Sequence, residues 1–331
     1  MTKYIHHGGN LCQAAQQYQI PFENWIDLST GINPHAWKIP KIPDYVWQRL
    51  PEEQDGLLEA AQQYYATDTI LAVAGSQAAI QTLPACRKPS RVGIISPAYA
   101  EYAYWWQQMG HEVIAIPRQH IEHYLPDLDV LIVINPNNPD AFCYSCETLL
   151  QWHQQLSARG GWLIVDEAFM DSTPENSLIP YVNQTSKLII LRSLGKFFGL
   201  AGIRLGFVIS HPALLEQIQQ KLGSWATSHP ARWIGKHALC DQNWQNKTRQ
   251  QLKQSAKQLQ QLVSCLDNHN VTSTSLFAYL PFEYAQALQD YLAKQSIWIR
   301  IFEQPQAIRI GLPRSQKEYD LLGSLLERFS A

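Results

Sequence analysis

Seven short runs of apolar, largely β-branched residues constrain the fold of this chain more than any other feature: ILAVA at 70–74, VGIIS at 92–96, EVIAI at 112–116, VLIVI at 130–134, WLIVD at 162–166, LIILR at 188–192 and RLGFVI at 204–209. Gly, Pro or Asn punctuates them, and stretches long enough for amphipathic helices lie at 76–86, 99–109, 146–159 and 212–222. A strand that is apolar almost throughout has both faces covered, which is the condition of a parallel sheet flanked by helices. The alternation therefore predicts an α/β domain with a mostly parallel seven-stranded sheet, over residues 36–215. A chain of 331 residues, 46% of them hydrophobic, has enough apolar surface for that core and for a second, unequal domain.

After about residue 230 the texture changes. A Gln-, Lys- and Leu-rich stretch from Asp241 to Leu266 has apolar residues at helical spacing. It is followed by a strand-like TSLFAYL, a helix from Glu283 to Lys294, the strand pair IWIRIF and AIRIGL, and a closing helix from Ser315 to Phe329. These elements predict a smaller α+β domain over 216–331, with residues 1–35 as an arm that contributes to it and to the active site. No internal repeat is visible.

The formal net charge is -2 and the 26 basic residues are scattered, so nothing provides an electrostatic footprint for nucleic acid or an anionic membrane. Small molecules are the expected partners. No apolar run approaches the roughly 20 residues that span a bilayer, and MTKYIHHGGN has no apolar stretch of signal-peptide type, which places the chain in the cytosol. Six cysteines are sparse for the length and argue against a disulfide framework, and Cys143 and Cys146, with no second pair nearby, are read as ordinary thiols at a helix start rather than a metal site.

In open α/β sheets ligands collect at the carboxyl ends of the strands, so the residues that follow each run deserve comparison. The first is followed by Gly75-Ser76-Gln77, a tight turn opening a helix whose free N–H groups suit a phosphate. The second is followed by Pro97-Ala98-Tyr99, an aromatic ring able to lie over a flat heterocycle, and the fourth by Asn135-Pro136-Asn137-Asn138-Pro139. The fifth ends in Asp166, a carboxylate at the edge of an apolar interior that requires a cationic partner. The sixth ends in Ser193-Leu194-Gly195-Lys196, with Arg204 eight residues on; without a Ser or Thr after the lysine this is no P-loop, and the apolar FFGLAGI predicts a desolvated, nucleophilic amine. Each feature alone is equally a plain turn, a surface cap or a core residue. Together they are the parts a pyridoxal-phosphate (PLP) site requires: grips for a phosphate, a stacking ring, a partner for the ring hydroxyl, a carboxylate for the pyridine nitrogen and an amine for the aldehyde.

At these residues the chain resembles the fold-type I, aspartate-aminotransferase superfamily over essentially its whole length, through N-P-N-N-P, D-E-A-F and S-L-G-K-F-F-G-L-A-G-I-R-L-G. H-G-G-N near the start and L-S-T-G-I-N-P at 28–34 resemble the threonine-phosphate decarboxylase family of cobalamin biosynthesis, itself similar to histidinol-phosphate aminotransferases. The resemblance implies Lys196 as the Schiff-base lysine, Asp166 as the pyridinium partner, Asn138 as donor to the ring hydroxyl and Tyr99 as the stacking ring. It implies Ser76, Ser193 and Arg204, with Gly75 and Gln77 beside them, as the phosphate grip. His7, Gly8, Gly31, Asn138, Arg300 and Arg309 would face a phosphorylated amino acid, Arg309 pairing with an acidic group as a planar guanidinium can. Phe169 stands where many relatives have a Tyr that shares the ring hydroxyl, Leu50 where relatives often have a Tyr reaching the neighbouring subunit's cofactor, and Gly31 where some decarboxylases have a substrate-binding Asn. The implied activity is decarboxylation of O-phospho-L-threonine to (R)-1-aminopropan-2-yl phosphate by a homodimer. In it the substrate amine displaces Lys196, carbon dioxide leaves, and Lys196 is the candidate donor of the returning proton. An aminotransferase of histidinol-phosphate type and a non-catalytic PLP-binding regulator are the alternatives.

Overall fold

The structure, a computed structural model, describes residues 8–182, 187–267 and 270–330. The chain divides into two compact units, one of residues 36–138 and 143–247, the other of 1–35, 139–142 and 248–331. The sequence draws the large domain to 215; in the structure the helices Pro212–Leu222 and His229–Cys240 belong with the larger unit.

The larger unit holds all seven anticipated strands: β1 (Ile70–Val73), β2 (Arg91–Ser96), β3 (Glu112–Pro117), β4 (Val130–Ile134), β5 (Trp162–Asp166), β6 (Leu188–Ser193) and β7 (Gly206–Ile209). They form one sheet in the order β1-β7-β6-β5-β4-β2-β3. Every neighbour pair is parallel except the two that β7 makes, with β1 and with β6. Burial explains the sequence texture. All residues of β4, β6 and β7 are buried, whereas β3 at the sheet edge is largely exposed and reads EVIAIP. The strands are covered by α1 (Gly75–Thr82), α2 (Glu101–Gln108), α3 (Cys146–Ala158) and α4 (Pro212–Leu222), from which Ile80, Tyr102, Trp106 and Ile218 enter a core shared with Val92, Ile132, Ile164 and Leu191. Ser145 caps α3 by accepting from the Thr148 N–H, a contact of about 1 kcal/mol, so Cys146 is the first helical residue and its thiol donates to the Asn176 carbonyl.

The smaller unit is built on a four-stranded antiparallel sheet of β8 (Thr272–Ser273), β9 (Phe277–Pro281), β10 (Arg300–Glu303) and β11 (Gln306–Gly311), in the order β10-β11-β9-β8. IWIRIF is not the single strand its apolar pattern suggests. Residues 297–298 pair in parallel with Ile26–Asp27, and only from Arg300 does the chain join β11. At the break, the Ile299 carbonyl is taken by the Gln289 side chain from the helix Ala285–Ala293, which offsets the lost ladder bond. Leu11–Tyr18, Gln242–Val263 and Gln316–Ser330 are further helices. Among the described residues no helix is long and apolar enough to cross a membrane.

Candidate active site

The strand ends of the larger unit bring the predicted cofactor residues into one neighbourhood. β1 leads into α1 through Gly75, whose φ of +70° is a left-handed conformation that a side chain would strain. A Cβ there would lie 2.6 Å from Nη2 of Arg204, so the missing side chain is what lets the guanidinium approach. Gly206 does the same from the other side: its Cβ would meet the Ser76 nitrogen at 2.6 Å. No side chain caps α1, and the N–H groups of its first turn have no intrahelical partner. Ser193 stands directly across from Gly206 in the β6–β7 pairing, and its Oγ accepts from the Gly195 N–H at 3.2 Å. Backbone N–H groups, a hydroxyl and a guanidinium form a donor set suited to an oxyanion such as a phosphate.

Tyr99 and Asp166 complete the ring-binding side. The half-buried Tyr99 lies just ahead of α2 and donates to Gln77 Oε1 at 3.3 Å. Burial, then Glu101 and Asp166, push its hydroxyl up to about 12, so it stays a phenol. The buried Asp166 accepts from the Tyr102 hydroxyl at 2.8 Å through Oδ2 and from the Ala168 N–H at 3.0 Å through Oδ1. Burial raises its carboxyl above the ordinary range, while Tyr102, the Ala168 N–H and the charge of Lys196 oppose the shift. A carboxylate kept dry with its remaining acceptor capacity at a strand end matches a protonated heterocyclic nitrogen. Lys196 is half-buried, and its Nζ lies 5.3 Å from the centre of the Phe169 ring, within the range of a cation–π contact.

The asparagine-rich turn sorts itself by hydrogen bonding. Asn135 closes on Tyr144 through both ends of its amide, and Asn137 donates to the Pro97 carbonyl at 2.8 Å. Asn138, for which the resemblance implies the ring hydroxyl, is the half-exposed member of the turn. Tyr102 was not singled out in the sequence. Its signal is its spacing, three residues beyond Tyr99, whose carbonyl accepts the Tyr102 N–H at 3.3 Å as the chain enters α2.

In the smaller unit Arg300 and Arg309 stand directly opposite one another in the β10–β11 ladder. Arg309 is buried, donates to the Ser29 carbonyl at 2.6 Å and lies over the Phe277 ring at 5.1 Å. Burial and the neighbouring Arg300 lower it to about 10, with Asp27 opposing. Arg300 is half-buried, over Phe302, and burial lowers it too. Ser29 is a further residue the sequence reading passed over. Fully buried, it also accepts from the Gly9 N–H at 2.8 Å and donates through its N–H and hydroxyl to Asp27, so the turn at Gly8 and Gly9 is tied to Arg309 through one residue. A Cβ on Gly8 would sit 2.5 Å from the Ser29 carbonyl oxygen. Gly31 is buried at a φ of +61°, and His7 lies outside the described residues.

The arrangement of the larger unit is that of a fold-type I PLP enzyme, and the chain belongs to the aminotransferase class I and II family, whose match covers residues 23–322. It is a PLP-dependent enzyme. It is 46% identical over 98% of both chains to a threonine-phosphate decarboxylase of Pseudomonas aeruginosa, and 36% identical over 94% of both to one of a Sinorhizobium species. Among solved structures it is similar in fold to histidinol-phosphate aminotransferase from Sinorhizobium meliloti in complex with pyridoxal-5'-phosphate, with a TM-score of 0.83, 17% identity and coverage of 100% of this chain and 99% of that one. L-threonine-O-3-phosphate decarboxylase from Porphyromonas gingivalis gives a TM-score of 0.78 at 20% identity, covering 91% and 98%.

Proposed function

We propose that this protein decarboxylates O-phospho-L-threonine to (R)-1-aminopropan-2-yl phosphate in cobalamin biosynthesis, as a cytoplasmic homodimer. The observation that carries the reading is the pairing of Arg300 with Arg309. Like charges directly opposite on adjacent strands destabilise a sheet; burial lowers both guanidiniums and Arg300 lowers Arg309 further, so an anion bound beside them would offset the repulsion. A substrate bearing both a phosphate and a carboxylate supplies it. The two relatives named as threonine-phosphate decarboxylases support the same choice.

Bound PLP supplies an electron sink conjugated to the substrate's α-carbon. Asp166, oriented by Tyr102, would hold the proton on the ring nitrogen; Asn138 would meet the ring hydroxyl and Tyr99 would cover the ring. Gly75, Ser76, Gln77, Ser193 and Arg204 would grip the phosphate, and Lys196 would be the amine that holds the aldehyde and carries a proton to the α-carbon. Which bond at that carbon breaks depends on which stands perpendicular to the ring plane. Arg300 and Arg309, with Gly8 and Gly31 and with His7 as the resemblance implies, would grip the substrate's anionic end and leave its carboxylate free to turn out of that plane.

The test is stoichiometric. Incubated with O-phospho-L-threonine and no 2-oxo acid, the purified protein should release carbon dioxide and the phosphorylated amine in equal amounts. Supplied with histidinol phosphate and 2-oxoglutarate, it should form no glutamate. Efficient amino transfer would replace this reading with that of a histidinol-phosphate-type aminotransferase.

A further inference from the structure

Beside the cofactor residues lies a group of charges that they do not use. Successive strand residues point to opposite faces, so Arg192 turns away from Ser193, and Glu167, just past β5 but with its N–H still bonded to the Leu191 carbonyl at 2.9 Å, turns away from Asp166. Arg192 Nη1 donates to Glu167 Oε2 and Nη2 to Asp171 Oδ1, both at 2.8 Å, and the three side chains are at most 2% exposed. The guanidinium lies 4.8 Å from the centre of the Tyr65 ring. Glu167 also accepts from the Ser177 hydroxyl at 2.6 Å and the Leu178 N–H at 2.8 Å, and Asp171 from the Tyr64 hydroxyl at 3.3 Å. Burial alone would push Arg192 down; Asp171 and then Glu167 outweigh it and hold the guanidinium above its usual value.

The contacts seize one turn at two points. Glu167 and Asp171 bracket Phe169, whose ring faces Lys196, and Glu167 directly follows Asp166. On the adjacent strand Arg192 directly precedes Ser193, which holds the Gly195 N–H next to Lys196. A single guanidinium thus ties the turn of Asp166 and Phe169 to the turn of Ser193 and Lys196. Burying one cation between two carboxylates is an expensive way to hold a fold together, since an apolar cluster of the same volume often serves as well or better; what charged, two-pronged geometry adds is a fixed relative placement.

We propose that Arg192 is a positioning residue that acts through Glu167 and Asp171 to hold Asp166, Phe169 and Lys196 in register with one another. The proposal rests on the cofactor and not on which substrate it serves. It is tested on the holoenzymes of Arg192→Met and Asp171→Asn, at a temperature well below the unfolding of each. The measurements are kcat, KM for O-phospho-L-threonine, and the induced circular dichroism of the bound cofactor's visible band. Displacement of reacting groups by about an ångström costs on the order of a hundredfold, so kcat should fall about that far in Arg192→Met, and about tenfold in Asp171→Asn, with KM changed less than about threefold. The dichroic band should weaken in both variants while the bound cofactor stays stoichiometric. Unchanged kcat and an unchanged band, beside a lowered Tm, would reduce the cluster to a fold-holding role and overturn the proposal. Should Arg192→Met not fold, Asp171→Asn decides alone, because it leaves a one-to-one pair of Arg192 with Glu167. The dichroic band needs no substrate, so it remains informative even if the decarboxylase reading fails.

Discussion

The two units of this protein present charge in opposite ways. In the larger one the carboxylate that matters is provided for: Asp166 has a donor on each oxygen, and the glycines at 75 and 206 clear space for Arg204 and the Ser76 nitrogen. In the smaller one two cations face each other across a ladder, and one of them is buried. The first arrangement is satisfied before a ligand arrives and fixes how a cofactor is oriented. In the second, a bound anion would offset the repulsion between two guanidiniums that face each other. On the proposed reading, the cofactor chemistry sits in the large unit and discrimination among substrates falls to the small one.

Four substitutions separate these roles, beginning with the most severe. Lys196→Ala should abolish turnover, because no other amine stands at the end of β6, although the cofactor can still be held by its phosphate. Borohydride treatment of the parent protein followed by peptide mapping should mark Lys196, and a label on another lysine would move the centre of the site elsewhere. Asp166→Asn should lower kcat by several orders of magnitude with the fold intact, since an amide cannot hold a proton on the ring nitrogen. Near-normal kcat would show that the electron sink does not depend on this carboxylate.

Arg309→Ala should cost about 1.5–3 kcal/mol, roughly ten- to a hundredfold in kcat/KM, while the dissociation constant of PLP stays within a factor of about two. A larger effect on PLP than on substrate would dissolve the division between the two units. With PLP bound and its phosphate grip occupied, inorganic phosphate should raise the Tm of the parent more than that of the variant, because an anion that binds only the folded state stabilises it.

Tyr102→Phe is the mildest, a loss of about tenfold in kcat. Its pH dependence has a definite sign. Burial already raises Asp166, and Tyr102 works against that rise. Without the hydroxyl the carboxyl is protonated at a higher pH, so the acid limb of the kcat/KM profile should move up in pH. A profile that moves down would mean the hydroxyl does not act on the carboxylate.

Legibility in the sequence followed burial. The interior strands could be read because strands covered on both faces carry almost no polar residues, with β4 and β6 the clearest cases, whereas the largely exposed β3 showed only its short β-branched run. The reversed direction of β7 left no such trace, since a short apolar run looks the same in either direction. IWIRIF misled for a related reason: its apolar pattern runs unbroken through Ile299, and the change of partner there is accommodated by Gln289, a polar residue on a helix. In the site, residues whose chemistry is unusual for their surroundings stood out, among them Lys196 and Asp166. Ser29 and Tyr102 did not, because a serine or a tyrosine is ordinary anywhere and only its partners distinguish it. Arg192 stood at the end of an apolar run in plain view, yet its meaning depends on Glu167 and Asp171, which only the β5–β6 pairing brings to it.

The crossing of β7 between β1 and β6 has a consequence for how the protein comes into being. Val73 pairs with Gly206, and Ser193 pairs with the same glycine, so the proposed grip on the cofactor phosphate can exist only once segments more than a third of the chain apart have met. Contacts of such long sequence separation are slow to form, because the entropy of closing the loop is spent before the pairing returns anything. The ability to capture PLP should accordingly appear late in refolding, after the helices and the β2–β3 pair, and the yellow colour of the bound cofactor becomes a clock for the last strand to take its place.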